Sequence, residues 1–219
     1  MRPASRAPKR NLFRRIVSYL FYRELIRSTG NFADIKWLGQ PMWQDVTDAW
    51  LIQDAIAEIR PSLIIETGTN QGGSALYYAN LLDLLGSGAV VTVDVERMHD
   101  LSHPRIEFLI GGSTSQEIVD AVRARAEQAK GPVMVILDSD HAESHVRAEL
   151  GAYAPLVTPG SLMLVQDGII DTMRDFRAAR PGPVPAIKDF LARHPEFEVE
   201  DRAGPFLVTH HPMGWLRRS

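Results

Sequence analysis

Two short segments near the middle of the chain carry residue types that could do chemistry together. Leu137-Asp138-Ser139-Asp140-His141 follows the apolar run Val133–Leu137, and Val165-Gln166-Asp167-Gly168 follows the apolar run Ser161–Val165. If the two runs are neighbouring parallel strands, both loops leave the same rim of a sheet, where open α/β folds bind ligands. Asp138, Asp140, Gln166 and Asp167 all offer oxygen donors there, a set that suits a hard divalent cation such as magnesium. Any single aspartate is equally well explained as a helix cap. Ser139 or Asp140 takes that role here, ahead of a helix over 141–153, and Asp138 is kept as ligand. His141 follows Asp138 by one helical turn, so the two side chains can face one site. An imidazole, with a pKa of roughly 6.5, suits a general base. His99, His103, His145, His194, His210 and His211 have no comparable context and are left unassigned.

A second group lies upstream. Glu66-Thr-Gly68-Thr-Asn70-Gln-Gly72-Gly73-Ser74 falls between an apolar run, Leu63–Thr67, and a helical pattern from Gly72 to about Leu85. Such a turn needs glycine where the backbone takes positive φ or approaches a ligand. The spacing is neither the Gly-x-Gly-x-x-Gly of nicotinamide and flavin enzymes nor a Gly-Lys-Ser/Thr phosphate loop. An acid before the turn fits a cationic ligand better than a pyrophosphate. S-adenosylmethionine, with its amino group and sulfonium and no phosphate, is such a ligand. Asp94 ends the next strand, Ala89–Asp94, where doubly wound folds place the acid that grips an adenosine ribose; Glu96 competes for that role. Gly111-Gly112-Ser113 follows the strand Ile106–Ile110 and would lie beside an adenine ring. The candidate donor-binding residues are therefore Glu66, Gly68, Asn70, Gly72, Ser74, Asp94, Gly112 and Ser113.

These residues need a scaffold that brings strand ends together. Strands alternate with helices over 45–165, and the near-continuous apolar strands predict a parallel sheet covered on both faces. A helix over 186–193 and a two-stranded hairpin, Phe197–Arg202 with Pro205–His210, are expected to close the chain. Ahead of the sheet, Leu12, Phe13, Ile16, Val17, Leu20, Phe21 and Leu25 recur at helical spacing up to Gly30, with Arg14, Arg15, Arg23 and Arg27 between them. This divides the chain into a basic arm, 1–35, whose first ten residues read as disordered, and a folded domain, 36–219. The arm's helix either packs on the domain or a second subunit, the commoner case, or lies on an anionic membrane.

Composition narrows the classes. The 219 residues include no cysteine, which excludes disulfides, thiolate metal sites and a cysteine nucleophile. Residues 1–36 hold nine Lys/Arg and two acids, so the remainder carries 15 bases against 25 acids. That acidic body argues against nucleic acid as a partner. No apolar run approaches a membrane span and the basic start leads to no cleavage site. The expected location is the cytoplasm, with membrane association through the arm as the variant. Apolar residues in the arm and the C-terminal tail suggest a homo-oligomer.

Taken jointly, Trp37-Leu-Gly39, Ile64-Ile-Glu-Thr-Gly68, Gly72-Gly-Ser-Ala75, Ile136-Leu-Asp-Ser-Asp-His141, Tyr153–Ser161 and Phe206–Arg217 resemble the cephalosporin hydroxylase family, which also includes rhamnosyl O-methyltransferases. The resemblance covers about 35–218. It implies a Rossmann-like class I methyltransferase: a mostly parallel seven-stranded sheet with a C-terminal antiparallel hairpin and helices on both faces. It implies S-adenosylmethionine as methyl donor, and methylation rather than hydroxylation. It also implies magnesium held by Asp138, Gln166 and Asp167, with His141 as base. Gln166 stands where the pattern usually has Glu, which lowers the expected metal affinity. The expected reaction is O-methylation of a sugar hydroxyl, on a rhamnose-like or other deoxysugar of a glycolipid or natural product. Arg180–Pro185 is a candidate lid, and Trp37, Trp43 and Tyr153 are candidate sugar-stacking residues. The competing readings are a metal-independent methyltransferase, a nicotinamide oxidoreductase, and a non-catalytic, membrane-associated binding protein of the same fold.

Overall fold

The computed structural model describes residues 12–219, apart from the side chains of residues 14, 15 and 205. The expected disordered lead over 1–10 lies outside the described residues. In chain order the elements are α1 (Leu12–Ser28), β1 (Lys36–Trp37), β2 (Gln40–Pro41), α2 (Val46–Ile59), β3 (Leu63–Thr67), α3 (Gly73–Leu85), β4 (Ala89–Asp94) and β5 (Ile106–Ile110). They continue with α4 (Gln116–Gln128), β6 (Val133–Leu137), α5 (Glu143–Tyr153), β7 (Leu162–Val165), α6 (Ile169–Thr172), α7 (Pro183–Leu191), β8 (Phe197–Val199) and β9 (Trp215–Arg218).

Seven strands form one sheet in the order β5-β4-β3-β6-β7-β9-β8. The first five are parallel, and β9 runs antiparallel to both β7 and β8. The apolar strands explain this. Alternate residues of one strand feed opposite faces: Leu63 and Ile65 join the core with Val133, Val135 and Val91, while Ile64 joins Met134, Ile136 and Val90 beneath α2 and α3. Both faces are therefore dry, as the unbroken hydrophobic pattern requires. Strand order reverses between β3 and β6, which opens a crevice at their carboxyl ends.

Two expected elements are placed differently. The partner of β8 is not Pro205–His210 but Trp215–Arg218, with Phe197 opposite Arg218 and Val199 opposite Leu216. Residues 204–206 form a short 3-10 turn instead. The β-prone run Phe206–Thr209 is drawn out of any sheet because the buried Asp48 of α2 takes the Thr209 hydroxyl at 2.6 Å and the His210 N–H at 2.6 Å. Gly214 lets the chain re-enter the sheet beside β7, since a Cβ there would sit 2.0 Å from the Val165 carbonyl oxygen. The helix expected over 186–193 starts earlier, at Pro183, a residue pre-set for a first helical turn.

α1 packs through one end. Tyr22 and Ile26 are buried with Phe32, Ile169 and Met173, and Arg23 and Arg27 reach Asp175 at 2.9 and 3.4 Å. Leu12, Phe13, Ile16, Leu20 and Phe21 are exposed. At the other terminus Trp215 and Leu216 are buried inside the sheet, while Val199 and Leu207 stay exposed. Among the described residues no helix is long and apolar enough to cross a membrane.

Candidate active site

A cavity of about 480 Å³ occupies the crevice above the carboxyl ends of the parallel strands. Its first wall is the turn from β3 into α3. Gly68 has φ +88°, and a Cβ on it would lie 2.0 Å from the Asp138 carbonyl oxygen. This glycine therefore lets the two loops of the switch point touch. Asn70, at φ +46°, donates its backbone N–H to Asp94 Oδ2 at 2.7 Å, and Val95 N–H reaches Asp94 Oδ1 at 2.7 Å. The Asp94 carboxylate is thus fixed at the cavity wall, where Gly68, Asn70 and Ser74 also lie. Glu96 is exposed and stands outside the wall.

Gly112 and Ser113 line the far end of the cavity. The Ser113 carbonyl is held by the Tyr153 hydroxyl at 2.6 Å, and its own hydroxyl lies 3.1 Å from His145 Nε2. Ser139 lies 3.1 Å from the same nitrogen and donates to the buried Glu149 at 2.7 Å.

Glu66 and Gly72 do not face the cavity. Glu66 is fully buried beneath the turn, where its Oε2 accepts from the Thr92 hydroxyl at 2.6 Å. The register that pairs Glu66 with Thr92 across β3 and β4 puts them on one face. Burial pushes its carboxyl up to about 7, with hydrogen bonds from Ser74 and Thr92 opposing and Asp94 adding to the rise. Gly72 turns toward His99 and Leu101.

The chemical centre lies where β6 and β7 end. Donor atoms of Asp138, His141 and Asp167 all fall within 4.8 Å of one another. His141 Nε2 is 3.1 Å from Asp167 Oδ2. Gln166 lines the same cavity, and its Nε2 is buried without a hydrogen-bond partner. Burial raises the Asp138 carboxyl well above the usual range, helped by the charges of Asp167, Glu66 and Glu149. Burial pushes Asp167 the same way, but the imidazoles of His141, His210 and His211 outweigh it and hold its pKa below the ordinary value. A divalent cation fits here: two carboxylates converge in a cavity that the Gln166 side chain also lines, and a positive charge would remove the cost of burying Asp138 ionised.

His141 reaches this point from a loop, not from the helix assigned to it. α5 begins only at Glu143, because Asp140 Oδ1 takes the Ala142 N–H at 2.8 Å and holds 140–142 as a turn. Neither Ser139 nor Asp140 is the N-cap of α5, which is Ala142.

Sequence reasoning missed the opposite wall. His210 Nε2 lies 3.6 Å from Asp167 Oδ1, and the Asp167 N–H donates to His211 Nδ1 at 3.0 Å. That bond pins Asp167 at φ +58°, an uncommon conformation for a non-glycine residue. Burial drives His211 down to about 4, so it is neutral and accepts at Nδ1. Tyr22 of α1 lies 2.9 Å from Asp45 Oδ2 and 2.9 Å from His210 Nδ1. A signal did exist: Asp45 and Asp48, three residues apart at a helix start, are two acids on one face with no basic partner nearby in sequence.

Of the three candidate stacking residues only Trp43 lines the cavity. Trp37 packs edge-on against Tyr77 and bonds Asn80 at 2.9 Å, and Tyr153 is buried. The candidate lid Arg180–Pro185 is absent from the cavity wall. Gly182 and Val184 instead tie their N–H groups to Asp171, each at 2.8 Å.

The strand order, with its crevice at the switch point and an antiparallel β9, defines the class: a Rossmann-like α/β fold of the class I methyltransferase type. The sequence profile described as rhamnosyl O-methyltransferase/CmcI matches residues 30–219, and the chain belongs to that family. It is 33% identical to a rhamnosyl O-methyltransferase of Mycobacterium tuberculosis (strain ATCC 25618 / H37Rv) over 192 residues, covering 84% of this chain and 78% of the relative. The Mycobacterium leprae (strain TN) rhamnosyl O-methyltransferase is 33% identical over 199 residues, covering 87% and 86%. Among solved structures, a CmcI structure with Mg and SAM superimposes with a TM-score of 0.67 at 20% identity, over 86% of this chain and 78% of that one. The MycE methyltransferase from the mycinamycin pathway, in complex with Mg and SAH, superimposes with a TM-score of 0.55 at 17% identity, over 100% and 66%.

Proposed function

We propose that the protein is an S-adenosylmethionine-dependent O-methyltransferase that methylates a hydroxyl of a rhamnose-like or other deoxysugar, carried on a glycolipid or glycosylated natural product, with magnesium as cofactor. One observation carries this reading: a single cavity joins the Asp94 carboxylate, beside a glycine turn, to the cluster of Asp138, His141 and Asp167. The relatives named rhamnosyl O-methyltransferase support the acceptor class.

Methyl transfer is an in-line displacement: a C–O bond forms as the C–S bond of the sulfonium breaks, and the hydroxyl proton must go elsewhere. The fixed Asp94 carboxylate is the ribose acceptor, Gly68, Asn70 and Ser74 shape the wall for the amino-acid end, and Gly112 and Ser113 flank the adenine. Glu66 acts from below, setting the turn through Thr92 and Ser74. Asp138, Gln166 and Asp167 are the residues to hold magnesium, whose contribution when bound is Lewis-acid polarisation of a hydroxyl. His141 takes the proton at an imidazole nitrogen, and the Asp167 carboxylate stabilises the resulting imidazolium. Holding donor and acceptor in line supplies much of the rate. Trp43 offers a half-exposed ring at the cavity mouth on which a sugar face can stack.

The exposed apolar side of α1, in an arm with eight basic residues, supports a peripheral contact with anionic lipid or a second copy of the chain. Leu12→Glu with Phe13→Glu abolishes vesicle co-sedimentation in the first case and changes the mass measured by light scattering in the second.

The test of function is transfer of labelled methyl from S-adenosylmethionine to a panel of rhamnosides and other glycosides, with and without magnesium. Sugar O-methylation that stops on chelation is expected. Full activity in excess chelator removes the metal, and no product from any glycoside removes the acceptor class.

A further inference from the structure

The hydroxyl of Tyr22 has one proton and two neighbours at equal distance, Asp45 Oδ2 and His210 Nδ1, both 2.9 Å away. All three side chains are buried. Asp45 already accepts the Thr47 N–H and Thr47 hydroxyl, each at 2.9 Å, so it is oriented as an acceptor toward Tyr22. A carboxylate has no proton to give and makes the stronger, charge-assisted bond. The Tyr22 proton therefore points to Asp45, and its oxygen must accept from His210 Nδ1–H. A neutral imidazole carries one N–H, so His210 Nε2 is left with a bare lone pair. That nitrogen faces the cavity, 3.6 Å from Asp167 Oδ1, which is itself an acceptor. With Asp167 given to the metal, the bare Nε2 is left to accept from a donor in the cavity beside it, and an alcohol is one.

Resting on the reading of the cavity as a methyltransferase site, we propose that Tyr22, delivered by α1 and backed by Asp45, is a positioning residue for the methyl acceptor: it fixes His210 as the Nδ1–H tautomer, so that the bare Nε2 accepts a hydrogen bond from the sugar. Independent features hold the imidazole still. The His210 backbone N–H is anchored on Asp48 at 2.6 Å, and its ring packs edge-on against Phe32 at 5.1 Å and Phe176 at 5.9 Å between centroids. The arm's helix is then part of the site, not an appendage to it.

The experiment reads tautomer and kinetics separately. Histidine ring nitrogens are labelled with ¹⁵N in the full-length protein, and His210 is assigned by its loss in His210→Gln. The wild type is expected to show a protonated Nδ1 and a bare Nε2. Asp45→Asn keeps the volume and the N-cap of α2 but turns a donor toward Tyr22, so its hydroxyl swings to His210 and the tautomer reverses to Nε2–H. Tyr22→Phe removes the relay. Both variants are expected to raise KM for methyl α-L-rhamnopyranoside by roughly tenfold or more, the size of one lost hydrogen bond, with a smaller change in kcat and donor Kd within about twofold. If Tyr22→Phe does not fold, as judged by its melting transition, Asp45→Asn carries the test. An Nε2–H tautomer in an active wild type overturns the proposal alone, as does a reversed tautomer with unchanged KM. An expected tautomer in a wild type that methylates no glycoside overturns the reading of function beneath it.

Discussion

His141 Nε2 stands 3.1 Å from Asp167 Oδ2, joining the loop after β6 to the loop after β7. The two residues lie 26 positions apart, and each is placed by its own backbone device: the Asp140 turn for His141 and the His211 hydrogen bond for Asp167. An imidazole held this way has a fixed rotamer and a counter-charge for its protonated form. His141→Ala is expected to lower kcat by roughly 10²–10⁴-fold, the usual worth of a general base, with little change in donor Kd. Stopped-flow or initial-rate kinetics check this, and an unaltered kcat removes His141 as base.

Asp138 and Asp167 bring two carboxylates together in a buried site, and the burial of Asp138 is what drives its proton affinity up. Magnesium binding to the native state alone raises stability by mass action. The wild-type melting temperature is expected to climb with magnesium concentration, and that of Asp138→Ala is not. The same variant loses turnover while keeping donor affinity within a few-fold. An identical magnesium response in both proteins contradicts the assignment.

Glu66 gives stability a pH dependence of known sign. Its carboxyl titrates at about 7 in the native protein against 4.5 ordinarily. Between those values the native state binds more protons than the unfolded chain, so stability falls as pH rises. Above pH 7 the full cost is about 3 kcal/mol, from 1.36 kcal/mol per unit. Asp48 is raised to about 7 by burial and by Asp45, and adds to the same slope. Glu66→Gln is therefore expected to flatten the decline between pH 5 and pH 8 without abolishing it, and to be the more stable protein at pH 8. Urea unfolding at the two pH values measures this.

Gly68→Ala tests the switch-point turn. The substitution forces a side chain into φ +88° with its Cβ 2.0 Å from the Asp138 carbonyl oxygen. Strain of this kind costs about 2–4 kcal/mol, or roughly 5–15 °C in melting temperature for a chain of this size. Moving the Asp138 loop should also weaken the magnesium response. Calorimetric melting with and without the ion reads both effects.

Much of this was legible in the residues, for physical reasons. Adjacent parallel strands put Asp138 and Asp167 on one rim, so two apolar runs each ending in an acid were enough to bring them together. Asp94 was readable because it ends the strand after a glycine turn. The element carrying His210 and His211 was not, because Phe206–Thr209 has the composition of a strand and is pulled away from the sheet by Asp48, a contact 162 positions distant in sequence. Tyr22 was hidden for a related reason. The helical spacing of α1 marks an apolar stripe, but not that one tyrosine on its flank is buried against the site while Leu12, Phe13, Ile16, Leu20 and Phe21 stay exposed. Glu66 was misplaced by one layer: an acid at a strand end can face the crevice or the core, and only the pairing of β3 with β4 decides that it points at Thr92.

Calorimetric titration of S-adenosylmethionine into the full-length protein tests the reading of the cavity most directly. Saturable binding to the wild type is expected, weakened roughly 10–100-fold in Asp94→Ala, where charge-assisted bonds to the ribose are lost, and nearly unchanged in His141→Ala. No binding by the folded wild type, or equal affinity in Asp94→Ala, contradicts it.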